Sequence, residues 1–371
     1  MKVLILGAGK IGSAIAFDLM KNKAEVGIAD VDFGNAKKVA RKYNATAIKV
    51  NVKAYEKLIK LMKKYDTIVS AVPYFFNYKL AKAAIGARVN FCDLGGNTEI
   101  VEKELKLHDK AKSAGVTIIP DCGLAPGITN ILSNLGARKV KNPYAIYCRV
   151  GGLPQKPTTP LNYGLFFSVE GLINEYTGKC RIIRNGKIKE VEPLTEIEPI
   201  KFPGFKNLEC FHTSGGSSTL PETFKNKVKE LNYKTIRYAG HSDKIKTMID
   251  LGLASEKLIK IGRSKIKPRD VLNYILKKNL KPCKDVVLLR VSVVGEREKK
   301  EYELMDYFDE KSKLTAMART TGFSTSIIAQ YLANGEIGKG AFPPEICVPA
   351  EKFIADLAKR GITVNENFRY S

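Results

Sequence analysis

A chain of 371 residues is long enough for two domains and a sizeable core. Its 44% hydrophobic and 27% charged residues are ordinary for a globular protein, and no apolar run approaches the roughly 18 residues of a membrane helix. The net charge of +24 raises the question of an acidic partner. The lysines, however, are spread along the whole chain and crowd helical stretches such as Tyr55 to Tyr65, with no nucleic-acid-binding pattern beside them. They read as a Lys-rich solvated surface of the thermophile kind. Neither nucleic acid nor membrane is expected as a partner. The apolar run after Met1 is too short for a signal peptide, so a cytoplasmic location is expected. The seven cysteines are scattered, odd in number and without a C-x-x-C pair. Reduced thiols and no metal site are therefore expected.

Val3 to Leu6 reads as a short buried strand, followed at once by "GAGKIG" and a helical run, "SAIAFDLMKN". This is the G-x-G-x-x-G pattern of a dinucleotide-binding turn. Gly7 allows the tight turn, Gly9 lets backbone approach a pyrophosphate, and Gly12 lets the helix pack close to the sheet. Lys10 and Ile11 complete the loop at the helix N-terminus, where phosphates are favoured. A second strand ends in Asp30, an acid placed to accept ribose hydroxyls and repel a 2′-phosphate, so NAD is the expected cofactor.

Further strands are expected at "TAIKV", "DTIVSAV", "RVNFCDL" and "VTIIPD", with helices at Ala54 to Lys64 and Tyr78 to Ile85 between them. Alternation of this kind predicts a parallel, doubly wound sheet whose ligands lie at the carboxyl ends of its strands. The residues standing there are Ala71, Val72, Pro73 and Tyr74, then Asp93 and Gly95, then "DCGLAPG" from Asp121 through Cys122 to Gly127. The first three of these, with Asp93, Gly95 and Cys122, are expected around the cofactor. Tyr74 is expected to reach the substrate.

After a helix running to about Val140 the pattern changes to alternating, strand-like segments, with Asn185-Gly186 as a hairpin turn. The expected fold class is α/β. A Rossmann-type domain (residues 1–122 with 317–371) is joined to an α+β substrate and oligomerisation domain (123–316) whose sheet is mixed and largely antiparallel. An exposed sheet edge or face there makes a homodimer or higher homo-oligomer the expectation. "CFHTSGGSSTLPETF" supplies His212, Thr213 and Ser214 in a loop after a strand. In "TIRYAGH", Arg237 sits in a strand and suits a carboxylate, and His241 stands at a helix start. His108 reads as solvated. Thr320 and Thr321 precede a helix closed by Gly335.

Together "GAGKIG", "DCGLAPGITNIL", "FHTSGGSSTL", "YKTIRYAGH", "AMARTTGF" and "FPPEICVP" resemble, over nearly the whole chain, the saccharopine dehydrogenase-like family. The resemblance implies a saccharopine reductase-like fold and an NAD-dependent amine dehydrogenase acting on a small amino-acid substrate. Its most specific form is oxidation of the ε-amine of L-lysine with release of ammonia. Saccharopine, a carboxylated polyamine, or non-catalytic NAD sensing are the alternatives. One departure matters: saccharopine reductases typically carry an acid in "GLDPG", where this chain has Ala125. An amine must lose its proton before it can release hydride, and Asp121 and His241 are the candidates for that task. Arg237 is the candidate anchor for the substrate carboxylate, and Thr320 is a further candidate substrate contact.

Overall fold

A computed structural model of the chain describes residues 1–370. The chain forms two compact units. One comprises Met1–Lys139, Ser218–Leu220 and Ala318–Val364; the other comprises Val140–Ser217, Pro221–Met317 and the chain from Asn365 onward.

The first unit is built on a seven-stranded sheet in the order Gly340–Ala341, Thr117–Ile119, Asn90–Asp93, Thr67–Ser70, Lys2–Leu6, Glu25–Asp30, Thr46–Lys49. All its registered pairs are parallel. Val3 to Leu6 have no exposed surface, as a strand covered on both faces requires. Leu4, Leu6, Ile68, Leu80, Phe91 and Ile118 form the apolar layer between this sheet and helices such as Asn77–Ala87. Strand order reverses on either side of Lys2–Leu6, and a doubly wound sheet binds ligands at such a reversal.

The second unit carries a nine-stranded sheet. Its main path runs Glu198–Phe202, Phe205–His212, Glu230–Tyr238, Ala145–Pro154, Asp285–Val294, Glu298–Tyr307, Val364–Tyr370. Glu230–Tyr238 and Ala145–Pro154 run parallel, and the other registered pairs are antiparallel, so the sheet is mixed as expected. The hairpin Cys180–Arg184 with Lys187–Val191 turns at Asn185 and Gly186, whose φ angles of 53° and 74° are those of a primed turn.

Three local expectations change. Thr320 and Thr321 lie inside the helix Ala316–Ala333 rather than before it. The helix starts earlier because the Asp285 carboxylate accepts the backbone N–H groups of Ala316 (2.7 Å) and Met317 (2.9 Å), a cap brought from a distant strand. His212 is the last residue of the strand Phe205–His212, its N–H bonded to Thr195 O, and not a loop residue. His108 is half-buried, with Nδ1 3.0 Å from Ala341 O and its ring edge-on to Phe342.

Candidate active site

Two groups of residues carry chemistry, one in each unit. In the first, Gly7 has φ +107°, and a Cβ there would stand 2.5 Å from Ala71 O, so the turn must be glycine. The same contact shows the ends of the strands Lys2–Leu6 and Thr67–Ser70 meeting at the sheet's reversal. A Cβ on Gly12 would stand 1.9 Å from Gly7 O; only glycine lets the helix Lys10–Lys21 lie this close to the turn. Gly9 differs: nothing lies within 4 Å of its Cβ position, and it gives the helix no side-chain cap. A bare helix N-terminus beside an open glycine suits a pyrophosphate. Lys10 is exposed and Ile11 half-buried at that terminus.

Asp30 closes the cradle. Its Oδ2 accepts Ala8 N–H at 2.8 Å and its Oδ1 accepts Asp32 N–H at 2.9 Å, so the carboxylate is fixed against the glycine loop. Along the same edge Ala71 and Val72 are half-buried and Pro73 exposed, followed by a 3-10 turn at Tyr74–Phe76 with Tyr74 half-buried. Gly95 (φ +67°) donates its N–H to Asp93 Oδ1 at 2.6 Å, and Asp93 O accepts Cys122 N–H at 2.8 Å. Asp93 and Cys122 are interior, and the Cys122 Sγ–H points to Ile119 O at 3.3 Å. Gly7, Gly9, Gly12 and Asp30 thus fit a dinucleotide, with the 71–73 and 93–95 segments beside them.

Asp121 has no exposed surface and takes the left-handed conformation at φ +62°. Its Oδ2 accepts the Ser218 hydroxyl, and its Oδ1 has no hydrogen-bond partner among the described residues. Burial drives its carboxyl well above the usual range, with Ser218 pulling the other way. The side chain is packed against Gly95, where a Cβ would meet Asp121 Oδ1 at 1.8 Å. Ala125 is half-buried, and every other residue from 121 to 130 is buried. Thr320 is also fully buried.

The second group surrounds Arg237, which is 3% exposed on the strand Glu230–Tyr238. Its Nε donates to Tyr176 Oη at 3.2 Å, its Nη1 to Ile236 O at 2.9 Å, and its Nη2 lies 3.5 Å from Glu175 Oε2. The guanidinium rests on the Tyr163 ring, 4.7 Å from its centroid. His241, 1% exposed, opens the helix His241–Asp250. Leu161 O lies 2.9 Å from Nδ1 and therefore takes its proton, leaving Nε2 to accept the Tyr176 hydroxyl at 3.0 Å. Burial and the adjacent Arg237 charge push the His241 pKa down to about 3, so the ring is neutral. Thr213 Oγ1 bonds Thr235 Oγ1 at 2.6 Å. Ser214 donates its N–H to Glu175 O (2.9 Å) and its hydroxyl to Asn174 O (2.8 Å). His212 stands apart, with both ring nitrogens engaged by Tyr233 O (3.3 Å) and Glu196 Oε2 (3.1 Å).

Sequence reasoning missed Tyr163, Glu175 and Tyr176, since only tertiary packing brings the helix Val169–Thr177 to Arg237. It also missed Glu104, a fully buried acid beside Asp93. Burial and that neighbour push Glu104 far above the carboxylate range, so Glu104 keeps the proton. Its spacing from buried Val101 on one helix face was the available signal.

The two units define a Rossmann-type dinucleotide-binding protein with an α+β partner domain. Residues 3–119 match the saccharopine dehydrogenase NADP binding domain and residues 123–362 the saccharopine dehydrogenase C-terminal domain. The chain therefore belongs to the saccharopine dehydrogenase family, and its first unit takes a nicotinamide cofactor. Among curated relatives, it is 27% identical over 282 residues to the mitochondrial alpha-aminoadipic semialdehyde synthase of Rattus norvegicus, covering 72% of this chain and 30% of that protein. It is 25% identical over 307 residues to the saccharopine dehydrogenase [NADP(+), L-glutamate-forming] of Pyricularia oryzae, covering 78% of this chain and 66% of that one. The matched region thus spans about a third to two thirds of these relatives. The apo saccharopine dehydrogenase (L-Glu forming) of Saccharomyces cerevisiae shares the fold, with a TM-score of 0.81, 20% identity and 99% of both chains covered. Among the described residues, no helix is long and apolar enough to cross a membrane.

Proposed function

We propose that the protein is an NAD-dependent L-lysine 6-dehydrogenase. In this reading the ε-carbon of L-lysine loses hydride, and water then splits the resulting iminium into 2-aminoadipate 6-semialdehyde, which cyclises to a piperideine carboxylate, and ammonium. Relatives carry the names alpha-aminoadipic semialdehyde synthase, saccharopine dehydrogenase and carboxynorspermidine synthase, whose named compounds are amines or aldehydes that bear amino-acid groups. The observation that carries lysine over saccharopine is Ala125. It is the half-buried residue in an otherwise buried segment, and it offers a methyl group where the saccharopine reductase pattern has an acid. Separately from Ala125, Arg237 is the one cation this reading assigns to the substrate, and extra carboxylates buried without cationic partners would cost several kcal/mol.

The dinucleotide, when bound, supplies the hydride acceptor. The backbone at Gly9 and the helix N-terminus would receive its phosphates, on a turn that Gly7 and Gly12 make possible, and Asp30 would hold its ribose. Arg237 takes the substrate carboxylate. His241 acts as a positioning residue: neutral, it fixes the Tyr176 hydroxyl that in turn fixes Arg237 Nε. Asp121, buried and tied to Ser218, orders the strand end beside Gly95. The amine then reacts as its free base, so the rate should climb with alkaline pH toward the reference amine pKa of about 10.4. Initial rates with L-lysine and with saccharopine, at saturating NAD, test this reading. L-lysine should lead in kcat/KM by orders of magnitude, and a preference for saccharopine would overturn it.

NAD is proposed over NADP because the Asp30 carboxylate ends the second strand, pinned by Ala8 N–H, and its charge would repel a 2′-phosphate. Asp30→Ala is expected to raise KM for NAD and to narrow the NAD to NADP ratio of kcat/KM, with the melting temperature little changed. A wild-type enzyme that prefers NADP contradicts the assignment.

A further inference from the structure

Glu175 has no part in the reaction as described, yet it stands beside Arg237 on the helix Val169–Thr177. We propose that Arg237 and Glu175 together read the zwitterionic end of an α-amino acid, the guanidinium taking the carboxylate and the Glu175 carboxylate taking the α-ammonium. The inference rests on the reading above that the substrate is an amino acid, and it assigns the recognition of its α-amine to a named residue.

The pair is loose. Its single contact is 3.5 Å, longer than a well-formed charge-assisted bond and without the two parallel bonds of a forked Arg–carboxylate pair. The hydrogen bonds of Arg237 use three of its five N–H groups. Its orientation is nonetheless fixed, by the Tyr163 face below and by Tyr176, itself held by His241, at Nε. A rigid fork with spare donors is suited to a ligand's carboxylate.

Glu175 is anchored through its backbone, and its side chain stays partly exposed. Ser214 N–H bonds Glu175 O, and the Ser214 hydroxyl bonds the preceding carbonyl, so the loop after His212 clamps the helix end. The Glu175 side chain keeps 31% exposure where Arg237 keeps 3%, so the acid is the outer member of the pair. Surrounding protein still crowds it enough that burial lifts its pKa to about 7 in spite of Arg237. One guanidinium at 3.5 Å therefore does not compensate this carboxylate. A second cation would, and a zwitterion brings one while leaving the net charge of the cluster unchanged.

The test is calorimetric titration of the full-length protein, with NADH present, by L-norleucine, which carries the amino-acid head and no ε-amine, and by hexanoate, which lacks the ammonium. Wild type should bind L-norleucine at least tenfold more tightly than hexanoate. Glu175→Gln, nearly isosteric, should weaken L-norleucine roughly tenfold, leave hexanoate no weaker, and leave the melting temperature unmoved. Glu175→Asp should recover part of the loss. Equal weakening of both ligands, no weakening of either, or a wild type that binds neither overturns the proposal. Glu175-dependent binding of L-norleucine by a protein that does not oxidise L-lysine would sink the substrate reading and leave the head-group assignment standing.

Discussion

Gly12→Ala is expected to cost the protein its cofactor. The added methyl would lie 1.9 Å from Gly7 O and 3.1 Å from Gly7 C, contacts with backbone that no side-chain rotation relieves. The helix Lys10–Lys21 must back away from the turn, and the glycine loop loses the geometry that brings Gly9 and the helix N-terminus to a pyrophosphate. Overpacking in a well-packed region costs about 1–3 kcal/mol, so the melting temperature should fall by some degrees while the fold survives. KM for NAD should rise at least about tenfold, on the same scale of energy. Gly86→Ala is the control. It lies in the helix Asn77–Ala87, its Cβ would meet Ile59 Cδ1 at an ordinary 3.7 Å, and the change should be neutral or stabilising by about 0.5–1 kcal/mol. If Gly12→Ala binds NAD as well as Gly86→Ala does, the dinucleotide assignment of this loop is wrong.

The second large effect is expected at Arg237. A desolvated, charge-assisted contact to a substrate carboxylate contributes roughly 1.5–3 kcal/mol, so Arg237→Ala should lower kcat/KM for L-lysine by about 10- to 150-fold. The loss should shrink for cadaverine, which lacks the α-carboxylate. The same substitution strips Glu175 of its cation and raises a carboxyl pKa already near 7. A carboxyl raised above its usual 4.5 contributes stability that is complete below that value and is lost as pH rises through the folded pKa. Arg237→Ala should therefore be closer to wild type in stability at pH 6 than at pH 8, and the kinetic comparison belongs at the lower pH, with alkaline points as a second series. Equal losses for L-lysine and cadaverine would make Arg237 a structural residue only.

How legible all this was in the sequence follows from the range of each interaction. The glycine loop and Asp30 were readable because strand, turn and helix N-terminus are contiguous, and the contact that demands Gly12, to Gly7 O, lies within that stretch. The strand at Arg237 and the helix start at His241 were readable from alternation and Gly240, whose φ is +82°. Their chemical setting was not. Tyr163, Glu175 and Tyr176 lie more than 60 positions from Arg237 in the chain, and only tertiary packing brings them to it. His212 was placed in a loop because Thr-Ser-Gly-Gly follows it, whereas its register with Lys234 keeps it in the sheet. Glu104 was not singled out in the sequence, although its spacing of three from Val101 puts both on the buried face of the helix Thr98–Leu105. The start of the helix Ala316–Ala333 depends on Asp285, a cap that no local pattern announces.

Oxidation at the ε-carbon should release the ε-nitrogen. The most direct measurement uses L-lysine labelled with 15N at the ε-position and NAD, following NADH by absorbance at 340 nm and ammonium by mass. One 15N-ammonium is expected for each NADH formed, with an unlabelled α-nitrogen retained in the product. NADH formed without labelled ammonium, or label retained in a product that keeps the ε-nitrogen, contradicts it.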